Sequence, residues 1–528
     1  MSEAAPASVP PPAGAIPARA SFNDWLAVVA GMLGALMALV DVSIVNASLP
    51  VIQGEIGATP SESTWVGTSY LIAEIVVIPL TAWLERLFGM RRLLLVAVFL
   101  FTLFSMVCGM ANSLQTLILG RIGQGLAGGV LIPAAMTIVA RRLPPNQQPI
   151  GLALIAMTAL IGPATGPLLG GWLTDTFSWS LIFLLNVPVG VLQLVLITLA
   201  FPRVKGDWHE LRNADWLGIA GMVLGLGAFT LLLEEGHREQ WFESNLIRAL
   251  ALLSVIGVAM VALGQLSKKG RPVIRLALLR IPSLASVVAL MGMVGLLLFT
   301  ALYVTPQFLA TIAGYNASQA GQVVFVAGAI SIPVAFTFPF LVRLVDVRVL
   351  VGVAIVLLVA ANLMLTDLTV QSVGSAFLVT QLLYGTGTTL AAMPLQQVAL
   401  SSVPPDDAAE ANSLMAVARN LGGSVGLAAV ASFQEQRFDV HRWQIHSSLA
   451  ASDPEVQRHI GESAAVLGGG PAGIEAAARA LDGQVTMQAL AMTFNDVFLV
   501  MGLVGLLVLP AVILMRPPPA GMAMAMGH

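Results

Sequence analysis

The chain has 528 residues, 57% of them hydrophobic and only 10% charged, with a formal net charge of -3. That apolarity excludes an ordinary soluble domain, whereas repeated runs of about 20 apolar residues are what a hydrocarbon layer of roughly 30 Å requires. The weak net charge excludes a bulk electrostatic case for nucleic-acid binding. The single cysteine, Cys108, excludes an intramolecular disulfide or a thiolate metal cluster.

Residues 1–24 are rich in alanine and proline and lack a basic n-region, which predicts a disordered cytoplasmic tail and not a signal peptide. Apolar runs then predict an all-α integral membrane protein of about 14 spans, at 25–45, 64–84, 92–111, 114–139, 149–172, 179–201, 216–234, 248–266, 285–307, 319–342, 349–365, 373–400, 411–433 and 492–515. An even number of spans puts both termini on one side. Connections on that side carry Arg86, Arg91, Arg92, Arg141, Arg142, Arg203, Lys205, Arg212, Lys268, Lys269, Arg271, Arg275, Arg280, Arg343 and Arg348, and the short connections opposite carry almost no lysine or arginine. Basic residues accumulate in the cytoplasm, so both termini are expected there and the polar stretch 434–490 faces outward. The basic connection Gly264–Pro282 suits an anionic inner leaflet.

A faint repeat links Arg121–Gly125 in the fourth span with Gln381–Gly385 in the twelfth, and the loop Glu85–Arg92 with Arg343–Arg348. It divides the chain into a six-helix half at 25–201, two extra linking helices with a basic loop at 202–284, a second six-helix half at 285–515 and a cytoplasmic tail at 516–528. Transporters are commonly built from such repeats, with the substrate near the midplane between them.

The fifth span carries Gly162, Pro163, Gly166, Pro167, Gly170 and Gly171. Gly162, Gly166 and Gly170 share one helix face and admit a neighbouring backbone, and the prolines predict a bend beside a protein-lined or water-filled cavity. A glycine-rich packing helix has the same pattern.

These features resemble the major facilitator superfamily, in particular the fourteen-span drug:proton antiporters of the EmrB/QacA type. Leu39–Pro50 is similar to that group's first-helix motif. Arg121-x-x-Gln124-Gly125-x-x-Gly128-Gly129 is similar to its fourth-helix motif, and the glycine-proline run to its antiporter motif. Trp179–Gly190 and Leu232–Ser244 point to the EmrB side. One departure concerns the loop between helices two and three, where Arg86 stands in place of the family's aspartate, with Glu85 before it and Gly89, Arg91 and Arg92 after. The resemblance implies a proton-driven exporter of lipophilic small molecules in the bacterial inner membrane, with this loop taking part in gating. It also implies a periplasmic adaptor and an outer-membrane channel as partners, for which 434–490, expected to form two short helices, is the docking candidate.

Asp41, Glu74, Arg121 and Arg419 fall inside predicted spans, where each costs about 2.5–3.5 kcal/mol or more and is a functional candidate for that reason. Glu74 should lie near the midplane, suited to carry a proton or to meet a cationic substrate. Asp41 and Arg121 fall at similar depth, as a switchable pair or a permanent one, and the resemblance favours proton coupling for Arg121. Arg419 either reaches the facing half or snorkels to the interface. Gln124, Gln307 and Gln381 are candidates for the pocket wall or for helix-to-helix hydrogen bonds.

All six histidines lie outside the spans and no nucleophile–base or metal constellation appears, so an enzyme is not expected. There is no phosphate-binding GxxxxGK[ST] loop, which leaves the proton gradient as energy source and no cofactor. The alternative reading is an exporter or facilitator of one metabolite without proton coupling. Met522, Met524, Met526 and His528 predict a loose tail, with weak binding of a soft metal as the other reading.

Overall fold

The computed structural model describes residues 19–144, 146–204, 206–212, 214–266, 274–404, 407–449 and 454–515. The basic residues Lys205, Lys268, Lys269 and Arg271, most of the amino-terminal tail and the methionine-rich tail 516–528 lie outside them, as do the side chains of Pro163 and Pro167. The described residues are helical, with no strand among them.

In chain order the helices are α1 (Phe22–Ile56), α2 (Pro60–Ser63), α3 (Trp65–Val77), α4 (Thr81–Phe88), α5 (Met90–Gly109), α6 (Leu114–Arg142), α7 (Gln148–Thr176), α8 (Ser180–Leu184), α9 (Asn186–Ala200) and α10 (His209–Arg212). They continue as α11 (Trp216–Gly236), α12 (Asn245–Leu266), α13 (Pro282–Thr311), α14 (Ala317–Leu344), α15 (Val347–Leu363), α16 (Leu378–Ser401), α17 (Ala408–Ser448), α18 (Pro454–Val466) and α19 (Gly470–Val508). Among the described residues, ten helical segments are long and apolar enough to cross a membrane.

Local chemistry explains the boundaries. Capping boxes start α1 (Ser21 with Asp24) and α14 (Asn316 with Gln319), satisfying amides that have no intrahelical partner. Gly57 ends α1 in the left-handed region, where a side chain would be strained. The expected second span is not one regular helix. At Pro79 the chain tightens into a 3-10 turn, Ile78–Leu80, before α4 resumes, because proline supplies no amide to the α-helical ladder. The seventh helix runs unbroken through Pro163 and Pro167.

Glycines set the closest contacts. A Cβ on Gly162 would stand 2.8 Å from the Leu39 Cβ, and one on Gly170 would stand 2.9 Å from the Ile44 carbonyl, so α7 lies directly on α1. Gly171 faces open space. The carboxy-terminal counterpart is α13 on α17, where Gly295 faces the Arg419 backbone, Gly422 faces the Gly292 backbone and Gly426 faces Leu296 and Thr300. The repeat seen in the sequence has a matching contact. Gly125 of α6 sits on the Tyr70 carbonyl of α3, and Gly385 of α16 sits on the Ala327 carbonyl of α14. Separate apolar cores fill the two sets of helices, one around Val98, Phe101 and Leu131, the other around Val294, Ile355 and Leu395. Helices α11 and α12 form a hairpin closed at Gly221, Gly225 and Gly257, and α11 also packs on α3 and α17.

The segment 434–490 is not the pair of short helices expected. Helices α17 and α19 run 41 and 39 residues, far beyond their apolar parts, and only α18 is short. Charged cross-links explain the extension: Arg437 Nε donates to Asp496 Oδ2 at 2.5 Å, His441 meets the same oxygen at 2.7 Å, and Arg442 with His446 holds Asp482. The Arg442 hydrogen bond keeps the Asp482 carboxyl below the usual carboxylate range.

Overpacking a tight helix contact costs about 1–3 kcal/mol. Gly170→Leu should therefore lower the thermal unfolding midpoint in detergent by several degrees, while Gly171→Leu should leave it nearly unchanged.

Candidate functional site

Two polar centres lie within the helical body. The first is closed. Asp41 of α1 and Arg121 of α6 are fully buried and form a salt bridge. Arg121 Nε also donates to the Val66 carbonyl at 3.0 Å, Nη1 donates to Gln124 Oε1 at 3.1 Å, and the guanidinium carbon lies 4.3 Å from the Tyr70 ring centroid. The second oxygen of the pair, Asp41 Oδ1, accepts from Asn186 Nδ2 at 2.7 Å and Gln124 Nε2 at 3.1 Å. Ser105 Oγ accepts from both of those amides at 2.8 Å. Five helices thus meet on one ion pair, and every carboxylate oxygen has a donor. Such satisfaction offsets the desolvation that makes a bare buried pair unfavourable. Gln124 belongs to this network and lines neither of the two cavities described below.

The second centre is a cavity of about 620 Å³. Its wall is mostly apolar, from α1, α3 and α6 on one side and α13, α14 and α17 on the other, with Phe299, Leu302 and Tyr303 among its larger side chains. Glu74 of α3, Arg419 of α17, Gln307 of α13 and Glu234 of α11 all line it. Gln307 Oε1 accepts from Gln434 Nε2 at 3.1 Å. Gln381 is buried in α16 but stands away from this wall. A smaller void of about 70 Å³ shares Ile132, Leu298 and Arg419 with it and is lined by Gln396 and Asn412.

Beyond that void the two sets of helices are joined. Arg86 of α4 forms a salt bridge with Glu410 of α17 and reaches Glu210 at 3.5 Å, Glu85 pairs with Arg141, and Asn412 Nδ2 donates to Thr137 Oγ1 at 3.2 Å. In this loop Arg86, standing where the family's pattern has aspartate, makes the cross-link, and Glu85 turns back to its own set. Gly89, at φ +78°, turns the chain from α4 into α5. Arg91 instead reaches the Thr198 carbonyl at 3.3 Å, and Arg92 is exposed. At the opposite end the cavity wall runs out to Ala310 and Asn316.

Four participants escaped the sequence reading. Ser105, Tyr70 and Asn186 are ordinary polar residues in apolar runs, and only the Asn186 stretch, WSLIFLLNVPVG, carried a motif. Glu234 lies in the Leu232–Ser244 stretch that also carried a resemblance, but it ends its apolar run and reads there as a boundary residue, although α11 continues to Gly236.

Residues 31–427 match the family model described as Major Facilitator Superfamily. The chain is 30% identical over 489 residues to the Multidrug export protein EmrB of Escherichia coli (strain K12), covering 92% of this chain and 94% of that protein. It is 29% identical over 509 residues to the Fatty acid resistance protein FarB of Neisseria gonorrhoeae, covering 95% and 98%. The fold is similar to that of the human organic anion transporter MFSD10 (TETRAN), with a TM-score of 0.57 at 16% identity over 91% of this chain and 99% of that one.

Removing one partner of a buried ion pair costs about 3–5 kcal/mol because the other charge is left uncompensated. Asp41→Asn and Arg121→Gln should each destabilise strongly, and the double variant by clearly less than the sum, as read from unfolding midpoints in detergent.

Proposed function

The chain belongs to the Major Facilitator Superfamily, and from that premise we propose that it is a proton-coupled multidrug efflux transporter, not an enzyme, exporting hydrophobic or amphipathic compounds across the bacterial inner membrane by alternating access. The observation that carries the reading is the cavity of about 620 Å³ between the two sets of helices, apolar in most of its wall and joined shut beyond one end. An apolar enclosure with few polar groups binds by burial more than by hydrogen-bond geometry, which suits varied lipophilic ligands. The names of the relatives, one a multidrug exporter and one a fatty acid resistance protein, agree with such a substrate range.

In this reading the chain crosses the membrane 14 times, as two six-helix halves with α11 and α12 inserted between them and both termini cytoplasmic. The end closed by Arg86 and Glu410 is cytoplasmic, and the conformation is outward-facing. Glu85, Arg86 and Gly89 form the gate. Arg91 and Arg92 sit at the membrane surface behind it. Coupling follows from charge. A proton on Asp41 removes the charge that neutralises Arg121, so the five-helix network has two states; Glu74, in the cavity wall, exchanges its proton as substrate enters or leaves. One proton moving down about 100 mV supplies roughly 2.3 kcal/mol, enough for a useful gradient without nucleotide or cofactor. Gly162, Gly166 and Gly170 keep α7 and α1 in sliding contact. The α17–α19 projection stands where a periplasmic adaptor and outer-membrane channel would dock.

The test is drug-evoked collapse of an imposed proton gradient in proteoliposomes of the pure protein. Wild type should respond, and Asp41→Asn and Glu74→Gln should each lose at least about 90% of the response, since a positioned proton-transfer group typically contributes about 100-fold or more. Drug movement indifferent to the gradient contradicts coupling and leaves a facilitator.

A further inference from the structure

Helices α11 and α12 look like a spacer between two halves, yet α11 is part of the cavity wall. Three features of α11 set its orientation. Gly221 and Gly225 bind one face to α12, Gly227 lies beside Ile72 and Val76 of α3, and Thr230 and Glu234, four residues apart, reach the cavity together. Thr230 is 1% exposed, and its hydroxyl has no hydrogen-bond partner among the described residues. The Glu234 carboxylate likewise has no hydrogen bond or ion pair among them, although Glu235, next in the chain, is tied to Arg238 at 2.5 Å. A buried hydroxyl and a carboxylate left unpaired on one wall are costly unless something else satisfies them.

The cavity wall carries two carboxylates, Glu74 and Glu234, against one guanidinium, Arg419. Neither carboxylate forms an ion pair among the described residues, and Glu234 differs from Glu74 in having the unpartnered Thr230 hydroxyl one helical turn away on the same stretch of wall. The connection that follows holds α11 across the mouth of the cavity. Arg238 Nη1 donates to Thr64 Oγ1 at 3.2 Å at the start of α3, while Trp241 Nε1 donates to Ser432 Oγ at 2.9 Å and His237 lies 3.4 Å from Glu435 on α17. Gln240 and Trp241 both take positive φ, 54° and 52°, a strained conformation that these contacts hold in place.

We propose that Glu234, with Thr230 beside it, forms the subsite that receives the positively charged end of a cationic amphipath, its apolar body lying against Phe299, Leu302 and Tyr303. The inference rests on the transport reading and adds a substrate class to it. Glu74 is left free for proton exchange, so charge recognition and coupling occupy different helices.

The experiment measures binding of tetraphenylphosphonium and of uncharged triphenylphosphine oxide to the purified full chain, for wild type, Glu234→Gln, Glu234→Asp and Glu74→Gln. Glu234→Gln should weaken the cation about tenfold or more while changing the neutral compound less than twofold, as loss of one partly desolvated charge contact requires. Glu234→Asp should recover most of the cation affinity. Equal loss for both compounds, or loss of the cation only in Glu74→Gln, overturns the assignment. Wild type that binds neither compound contradicts the transport reading and the subsite with it.

Discussion

The ion pair of Asp41 and Arg121 is the constraint on which the amino-terminal helices depend. Two full charges away from water need partners, and here α3, α6 and α9 bond the pair directly while Ser105 of α5 holds the Asn186 and Gln124 amides; Arg121 Nη2 has no hydrogen-bond partner among the described residues. The close helix approach that brings those donors within reach is made by glycine: Gly125 against Tyr70, Gly129 against Glu74, and Gly166 against Ser43. A side chain at any of these positions would push apart helices whose polar groups must meet. Packing and electrostatics are thus one arrangement, and a change in the charge of Asp41 acts on all five helices at once.

The carboxy-terminal helices use the same packing device without the same charge. Gly385 repeats the contact of Gly125, but Gln381 stands where Arg121 stands in the other set, and no buried ion pair forms around it among the described residues. The asymmetry gives the two sets different roles in the proposed cycle. The amino-terminal set holds the titratable network, and the carboxy-terminal set supplies Arg419 and most of the apolar cavity wall. The inserted hairpin then fills the side of the cavity between α3 and α17.

Helix placement was legible in the sequence because hydropathy and glycine spacing act locally along the chain. The pairing of Asp41 with Arg121 was legible too, from depth counted along two helices. Partner choice was not. Glu85 and Arg86 are adjacent, yet one turns to Arg141 and the other crosses to Glu410, a difference set by tertiary contacts 56 and 324 residues away. The extension of α17 and α19 escaped because their outer parts are polar, and it is the contacts of Arg437 and His441 with Asp496, and of Arg442 and His446 with Asp482, that show the helices continuing as a pair. Glu234 escaped because a residue at the end of an apolar run reads as an interface residue until neighbouring helices are seen to enclose it.

The proposed cycle requires the closed end to open while the mouth closes. The most direct measurement places cysteines at Thr137 and Asn412, whose side chains meet at 3.2 Å across the closed end, in a background where the sole native cysteine, Cys108, is serine. The account predicts that oxidising this pair stops transport in proteoliposomes and that a reductant restores it. Transport that continues with the cross-link complete would contradict alternating access about this cavity.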